Sequence, residues 1–340
     1  SMQTNTKLLL FCVASALLAE FTFAADGAPG FVEQRLDRID EAVSAEVAAG
    51  KIPGAVAMIV RNGQTIYHKS FGYADIASKT PMQNDSIFRI ASMTKAVTSV
   101  AVMTLYERGH FQLNDPISKY IPEFANPQVL VSANDDGAVT ETRPATREIR
   151  IIDLLTHSAG LGYPFINSPV QKIYVENGII DGLTEKDVRL EDQMIKLADM
   201  PLLFDPGSAW NYGLNTDLLG RLIEVVSGKS LARYFADEIF IPLKMSDTHF
   251  YLPAKDHDRL VSLYAGVDGE LVPYTDESLS DLGDTNYPRV GAMTYYSGGA
   301  GLSSTAYDYS RFIEMLLNNG ELDGVRILGR KSVELMRSPR

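Results

Sequence analysis

A chain of 340 residues, 45% hydrophobic and 22% charged, has enough apolar material for a large core and one or two domains. Its net charge of −12 argues against a nucleic-acid or anionic-membrane surface, since both want basic patches, and the excess acid is read as a soluble surface. The five histidines (His68, His110, His157, His249 and His257) include no pair at metal-ligand spacing, so neither a zinc site nor a cofactor is expected.

Lys7 is followed by an apolar run over 8–19 and then by Thr22, Phe23, Ala24 and Ala25, the layout of a secretory signal peptide. Cleavage is expected after Ala24, which makes 1–24 the signal peptide and places the mature chain in the periplasm or outside the cell. The run is too short to span a bilayer comfortably, so no stable membrane insertion is expected after cleavage. Cys12, the only cysteine, lies early in that run and far from its small-residue end, which argues against lipid attachment. A mature chain without cysteine is compatible with an oxidising compartment.

A first helix is predicted over 31–49, ending at Gly50. Apolar-rich strands over 54–60 and 64–71 flank Arg61-Asn62-Gly63, a strong hairpin signal. An extended run, Ile87-Phe88-Arg89-Ile90, then passes into a helix with apolar residues at Met93, Val97, Val100, Ala101 and Leu105. Ser92 and Lys95, three apart, share one face of its first turn. A serine hydroxyl needs a base beside it, and a lysine serves only where burial or nearby positive charge favours its neutral form. Serine at a helix start is most often a cap and lysine one turn in is most often solvated. Two features weigh against that plain reading. Ser92 is the only serine followed three residues later by lysine, and the helix over 96–105 carries no charge on any side.

Further along, 117–121 is predicted as a short helical piece and 130–150 as a polar surface excursion with a small hairpin. A short helix over 151–156 runs into His157-Ser158-Ala159-Gly160-Leu161-Gly162. A helix is predicted over 185–198 and a turn at Pro206-Gly207. A well-patterned helix over 216–226 is stopped by Gly228. The loop Phe204 to Asn215 carries the only tryptophan and delivers Tyr212 just before that helix. An ammonium beside a phenol favours its ionised form, which takes and returns a proton; taken alone, Tyr212 is more simply a core tyrosine. His157 invites a Ser-His-acid triad, but no Gly-x-Ser-x-Gly occurs, and it is expected to brace its loop. A hairpin is predicted over 260–274 about Asp268-Gly269. The run Tyr296-Ser297-Gly298-Gly299-Ala300-Gly301-Leu302 lacks a P-loop lysine, so close backbone packing near the site is expected. Ser304 or Thr305 caps a helix to Leu317, closed by Gly320.

Strands first, helices in the middle and strands again late suggest a sheet domain with a helical domain inserted. Together the segments resemble the serine β-lactamase and penicillin-binding-protein superfamily, on the side of class C β-lactamases and family VIII carboxylesterases. The resemblance rests on Ser92-Met93-Thr94-Lys95, Leu154 to Leu161, Pro206 to Tyr212 with the helix after it, and Gly298-Gly299-Ala300-Gly301-Leu302. It covers the chain from about Phe31 to the end. It implies an α/β fold with an antiparallel sheet flanked by helices and an inserted mainly helical domain. The expected organisation is 25–85 as the first part of the α/β domain, 86–285 as the helical domain and 286–340 as the second part. It also implies Ser92 as acylated nucleophile, Lys95 sharing its proton, Tyr212 as general base and then acid, and the Ser92 N–H as one oxyanion donor.

Two departures shape the expected activity. Class C β-lactamases have Tyr-x-Asn at the second motif, whereas Tyr212-Gly213-Leu214 lacks that amide, with Asn215 next along. The family's third motif, a Lys-Thr-Gly or Trp-Gly-Gly type strand, is not found by Arg340, so the C-terminal part is expected to be missing and the chain to be a truncated product. The leading expectation is a secreted serine hydrolase of small carboxylic esters. The alternatives are a β-lactamase or D-alanyl-D-alanine peptidase, an acyltransferase, or a non-catalytic binding protein of the same fold. The expected partner is a small-molecule ester or β-lactam.

Overall fold

The two-residue turn Asn62-Gly63, with φ of 51° and 77°, matches the twist of the strands it joins, β1 (Gly54–Arg61) and β2 (Gln64–Asp75). They pair antiparallel with Arg61 opposite Gln64, and the register shifts once, between Ile59 and Val60. β3 (Thr80–Pro81) adds to the far end of β2 and completes an antiparallel order β1-β2-β3. Pro81 is tolerated there because it sits on an edge. The computed structural model describes residues 31–275 and 283–339, so the expected signal peptide lies outside the described residues.

Ahead of the hairpin, α1 (Glu33–Ala48) has no buried residue. From Ala42 onward the chain forms one compact unit. β4 (Phe88–Arg89) pairs antiparallel with β9 (Ser303–Ser304), Phe88 facing Ser304 and Arg89 facing Ser303. That short ladder places the glycine-rich turn before Ser303 beside the segment that leads to Ser92.

α2 (Thr94–Glu107) is buried, as the lack of charge over 96–105 predicts: Val97, Thr98, Val100, Ala101, Val102, Met103, Thr104 and Leu105 are all buried. Each large apolar side chain so buried contributes about 1.5–3 kcal/mol. Against it packs α6 (Asn215–Ser227), which also contacts α3 (Ile151–Leu155), α5 (Leu190–Ala198) and α7 (Leu231–Phe235). α6 ends where Gly228 turns left-handed at φ 69°.

The polar stretch after residue 127 is a hairpin, β5 (Gln128–Ala133) with β6 (Val139–Pro144), whose second strand is exposed throughout. α4 (Gln171–Glu176) has no counterpart among the elements predicted from the sequence, and α5 (Leu190–Ala198) starts at Leu190 rather than 185. The reason for the late start lies outside the segment. Thr184 Oγ1 and the Glu185 N–H both donate to Asp284 Oδ2, at 2.9 and 2.7 Å, which pins this stretch before it can wind. β7 (Tyr264–Val267) and β8 (Glu270–Pro273) form the hairpin about Asp268-Gly269. α8 (Ala306–Leu317) is capped by Thr305, whose hydroxyl accepts from the Asp308 N–H at 3.1 Å, and it packs on β1. A last hairpin, β10 (Glu321–Leu322) with β11 (Val325–Arg326), leads into α9 (Arg330–Arg337). The result is an α/β architecture of antiparallel strands and packed helices. Among the described residues no helix is long and apolar enough to cross a membrane.

Candidate active site

Ser92 sits not inside α2 but in the tight 3₁₀ turn Ala91–Met93 that precedes it. The Ile90 N–H donates to the Leu302 carbonyl at 3.0 Å, and Ala91 is held at φ 44°. A non-glycine residue there costs about 1–3 kcal/mol, a strain the surrounding packing must outweigh. The turn leaves Ser92 exposed and keeps the three-residue spacing useful: Lys95 Nζ donates to Ser92 Oγ at 3.1 Å. Lys95 Nζ also donates to the Gly299 carbonyl at 2.7 Å and lies 4.6 Å from the Tyr212 ring centre and 5.4 Å from that of Tyr163. The ammonium is thus half-buried between two aromatic faces, an attractive setting for a cation.

Tyr212 reaches the same oxygen from the other side, its hydroxyl donating to Ser92 Oγ. Its loop is laid directly on the loop after α3. The Gly207 N–H donates to the Ser158 carbonyl at 2.7 Å, the Asn211 N–H to the His157 carbonyl at 2.9 Å and the Leu214 N–H to the Gly162 carbonyl at 3.0 Å. A side chain on Gly213 would come within 2.4 Å of the Leu161 carbonyl oxygen, so glycine is required for this approach. Trp210, 67% exposed, stacks on Tyr212 with ring centres 6.3 Å apart.

His157 does brace its loop. Its Nδ1 lies 3.0 Å from Asn215 Nδ2, and its ring is 5.2 Å from that of Tyr212. Burial, with Lys95 adding to it, pushes its pKa down to about 4, which leaves a neutral imidazole. The Asn215 Nδ2 is therefore engaged by His157 while its Oδ1 is buried without a hydrogen bond, and Leu214, at the position of the missing amide, is buried in the core.

The glycine-rich run is closely packed near the site, as expected, against the α6 backbone at Gly298 and against side chains at Gly299. A Cβ on Gly298 would lie 2.7 Å from the Thr216 carbonyl oxygen, and one on Gly299 would lie 2.5 Å from Asp217 Oδ2. Thr98 Oγ1 donates to the Gly298 carbonyl at 2.7 Å and the Leu302 N–H to Thr94 Oγ1 at 3.1 Å, so α2 grips this turn from both ends. The sequence pointed to neither Tyr163 nor Asp217. Tyr163 is buried against Phe165, with ring centres 4.8 Å apart, and burial drives its phenol pKa far up. Asp217 is 0% exposed, and Ser297 Oγ donates to its Oδ1 at 2.7 Å. Burial pushes this carboxyl up to about 6. Among the described residues no group of three or more His, Cys, Asp or Glu is placed to hold a metal ion.

The structure thus brings Ser92, Lys95 and Tyr212 into one hydrogen-bonded cluster. The family model described as Beta-lactamase matches residues 39–340. This chain belongs to the beta-lactamase family. Protein Rv1367c of Mycobacterium tuberculosis is 37% identical over 293 residues, covering 86% of this chain and 69% of that protein. Esterase EstB of Burkholderia gladioli is 32% identical over 288 residues, covering 83% of this chain and 70% of the esterase. Among solved structures, EstCE1, described as a hydrolase with promiscuous acyltransferase activity, superposes with a TM-score of 0.76 at 32% identity, over 90% of this chain and 77% of that one.

Proposed function

We propose that this member of the beta-lactamase family is a serine carboxylesterase that cleaves small carboxylic esters through an acyl-enzyme on Ser92. The observation that carries the reading is the convergence of the Tyr212 hydroxyl and the Lys95 ammonium on one oxygen, Ser92 Oγ. After its own proton has passed to solvent, Tyr212 takes the Ser92 proton, and the ammonium beside it balances the phenolate. Ser92 Oγ attacks the ester carbonyl carbon, and the oxyanion that forms is met by the Ser92 N–H. Tyr212 then gives its proton to the departing alkoxide, so an alcohol leaves and the acyl group stays on Ser92. Water, deprotonated in turn by Tyr212, attacks the acyl carbon, the acyl–Oγ bond breaks to release the acid, and Tyr212 returns the proton to Ser92 Oγ.

The relatives named esterase support hydrolysis of esters over that of β-lactams. So does the burial of Leu214 where a β-lactam-contacting amide would stand. A second reading, transfer of the acyl group to another alcohol, is favoured by the likeness to EstCE1 and by the exposure of Ser92. Turnover of short-chain p-nitrophenyl esters by this chain and by Ser92→Ala tests the proposal. Loss of turnover in the variant is expected, and equal rates would sink it. Product analysis with added alcohols separates the two readings, and nitrocefin hydrolysis would promote β-lactam chemistry. Export to the periplasm or medium is assigned from the apolar run over 8–19 and is checked by finding Ala25 as the N-terminus of exported protein.

A further inference from the structure

Asp217, the third residue of α6, makes contacts that a carboxylate in the first turn of a helix does not need. Such a residue is served well enough by the helix dipole at the surface. Here the side chain is 0% exposed, and its Oδ2 makes no hydrogen bond of normal geometry. Its Oδ1 accepts from Ser297 Oγ at 2.7 Å, 80 residues away. Ser297 Oγ in turn accepts from the Ala300 N–H at 3.1 Å, and the Ser297 carbonyl accepts from the Gly301 N–H at 2.9 Å. Those bonds hold the turn whose Gly299 carbonyl accepts from Lys95 Nζ at 2.7 Å.

The groups whose charge acts on Asp217 come from several elements. Lys95 on α2 is the cation among them, and it favours the carboxylate. The Gly299 amide also favours it, while Asp181, in the loop after α4, adds a like charge. Tyr163, Tyr287 and Tyr295 are buried phenols, each made harder to ionise by Asp217. Burying a carboxylate with one oxygen unpaired is costly, and a fold tends to keep such a group where function requires it.

We propose that Asp217 is a positioning residue of this site: the buried counter-ion of Lys95, which also holds the Gly299 carbonyl on the Lys95 ammonium through Ser297. The inference rests on the roles proposed above for Ser92, Lys95 and Tyr212. Asp217 touches no substrate. It keeps the ammonium aimed, through the turn that carries the Gly299 carbonyl, while Tyr212 moves the proton.

Asp217→Asn keeps the shape and an acceptor for Ser297 but removes the charge. Two readouts are taken across pH: ester turnover, and the rate at which a fluorophosphonate labels Ser92. In the variant, kcat and the labelling rate are expected to fall roughly ten-fold or more with KM within about two-fold. The wild-type inflection near pH 6, where Asp217 gains its proton, is expected to vanish. A purely structural role would instead lower Tm and leave kcat alone, whereas Tm at pH 8 is expected to hold or rise. Wild-type rates and an unchanged pH profile in Asp217→Asn would overturn the proposal. Should that variant not fold, Ser297→Ala retains the carboxylate and cuts its link to the turn. It is expected to lower kcat and keep the inflection, and unaltered kcat would overturn the proposal. Should wild type and Ser92→Ala label alike, the acyl-enzyme reading fails by itself. Asp217 is then judged by whether the Tm gap between wild type and Asp217→Asn widens as pH rises through 6, and a constant gap would overturn its placement.

Discussion

The ammonium of Lys95 donates to the carbonyl of Gly299, 204 residues further along the chain, at 2.7 Å. This bond ties the turn that begins at Gly298 to the first turn of α2, just after Ser92, while the same ammonium also donates to Ser92 Oγ. A group that must point both ways is not replaced by another cation. Lys95→Met, which fits the same aromatic slot, is expected to lower kcat for a p-nitrophenyl ester by about 10³-fold or more with little change in KM. Lys95→Arg is expected to rescue little of it, since a planar fork cannot reproduce one point donor. Substantial turnover by Lys95→Met would remove the ammonium from the mechanism, and substantial turnover by Lys95→Arg would show that another cation can take its place.

Tyr212→Phe isolates the phenol. The ring keeps its neighbours, His157 at 5.2 Å and Tyr163 at 5.3 Å, so thermal unfolding is expected to shift by no more than about 1 kcal/mol. Turnover is expected to fall roughly 10²–10⁴-fold, the range of a lost general base. Comparing steady-state rates with denaturation curves checks both halves. A large stability loss would mean that the hydroxyl holds the fold instead.

Gly299→Ala sets sterics against conformation. Its backbone is not left-handed, so the cost is contact alone: the new methyl would lie 2.5 Å from Asp217 Oδ2 and 3.1 Å from the Tyr163 hydroxyl. Overpacking of this kind costs about 1–3 kcal/mol and would displace the carbonyl that holds Lys95. Gly228→Ala is the counterpart, with open space around it but φ at 69°, and costs about 1 kcal/mol through strain alone. Urea unfolding of both is expected to show a loss, and ester turnover a defect only in Gly299→Ala.

Restoring the amide that class C β-lactamases carry is not expected to give their chemistry. Leu214 is fully buried in the cluster that includes Leu161, Leu218 and Phe235, so Leu214→Asn would bury an amide in an apolar site. A loss of about 2–4 kcal/mol is expected, without gain of nitrocefin hydrolysis. A stable, nitrocefin-active variant would show that the position opens toward Ser92.

Much of this was legible because it is local. The Asn62-Gly63 turn, the uncharged run that becomes α2, and the Ser92–Lys95 spacing each carry their own signal, and the structure forms the hairpin, the buried helix and the contact they imply. The left-handed Ala91, which moves Ser92 ahead of the helix, has no such signal, since alanine does not favour that conformation. Asp217 was hidden for a different reason. With Arg221 and Glu224 it forms a stripe four and then three residues apart, opposite the leucines of α6, which reads as a solvated face. Arg221 and Glu224 do pair near the surface, at 3.5 Å, but the first turn of that face is roofed by Gly298 and Gly299, which arrive about eighty residues later in the chain. Burial imposed by a distant segment leaves no periodicity to read.

His157 and Asp217 pull stability in opposite directions over one pH range. His157 has a folded pKa of about 4 against 6.5 when unfolded, so between these values the unfolded chain binds more protons and stability falls as pH drops. Asp217 has a folded pKa of about 6 against 3.8 when unfolded, so there the folded chain binds more protons and stability rises as pH drops. For the fully buried Asp217 the shift is worth roughly 3 kcal/mol. Asp217→Asn therefore leaves the His157 slope unopposed, and its Tm is expected to fall more steeply than wild type from pH 6.5 to 4. His157→Gln is expected to fall less steeply. Melting curves of the three proteins at half-unit intervals check this, and parallel Tm profiles would mean that neither group titrates from a buried state in that range.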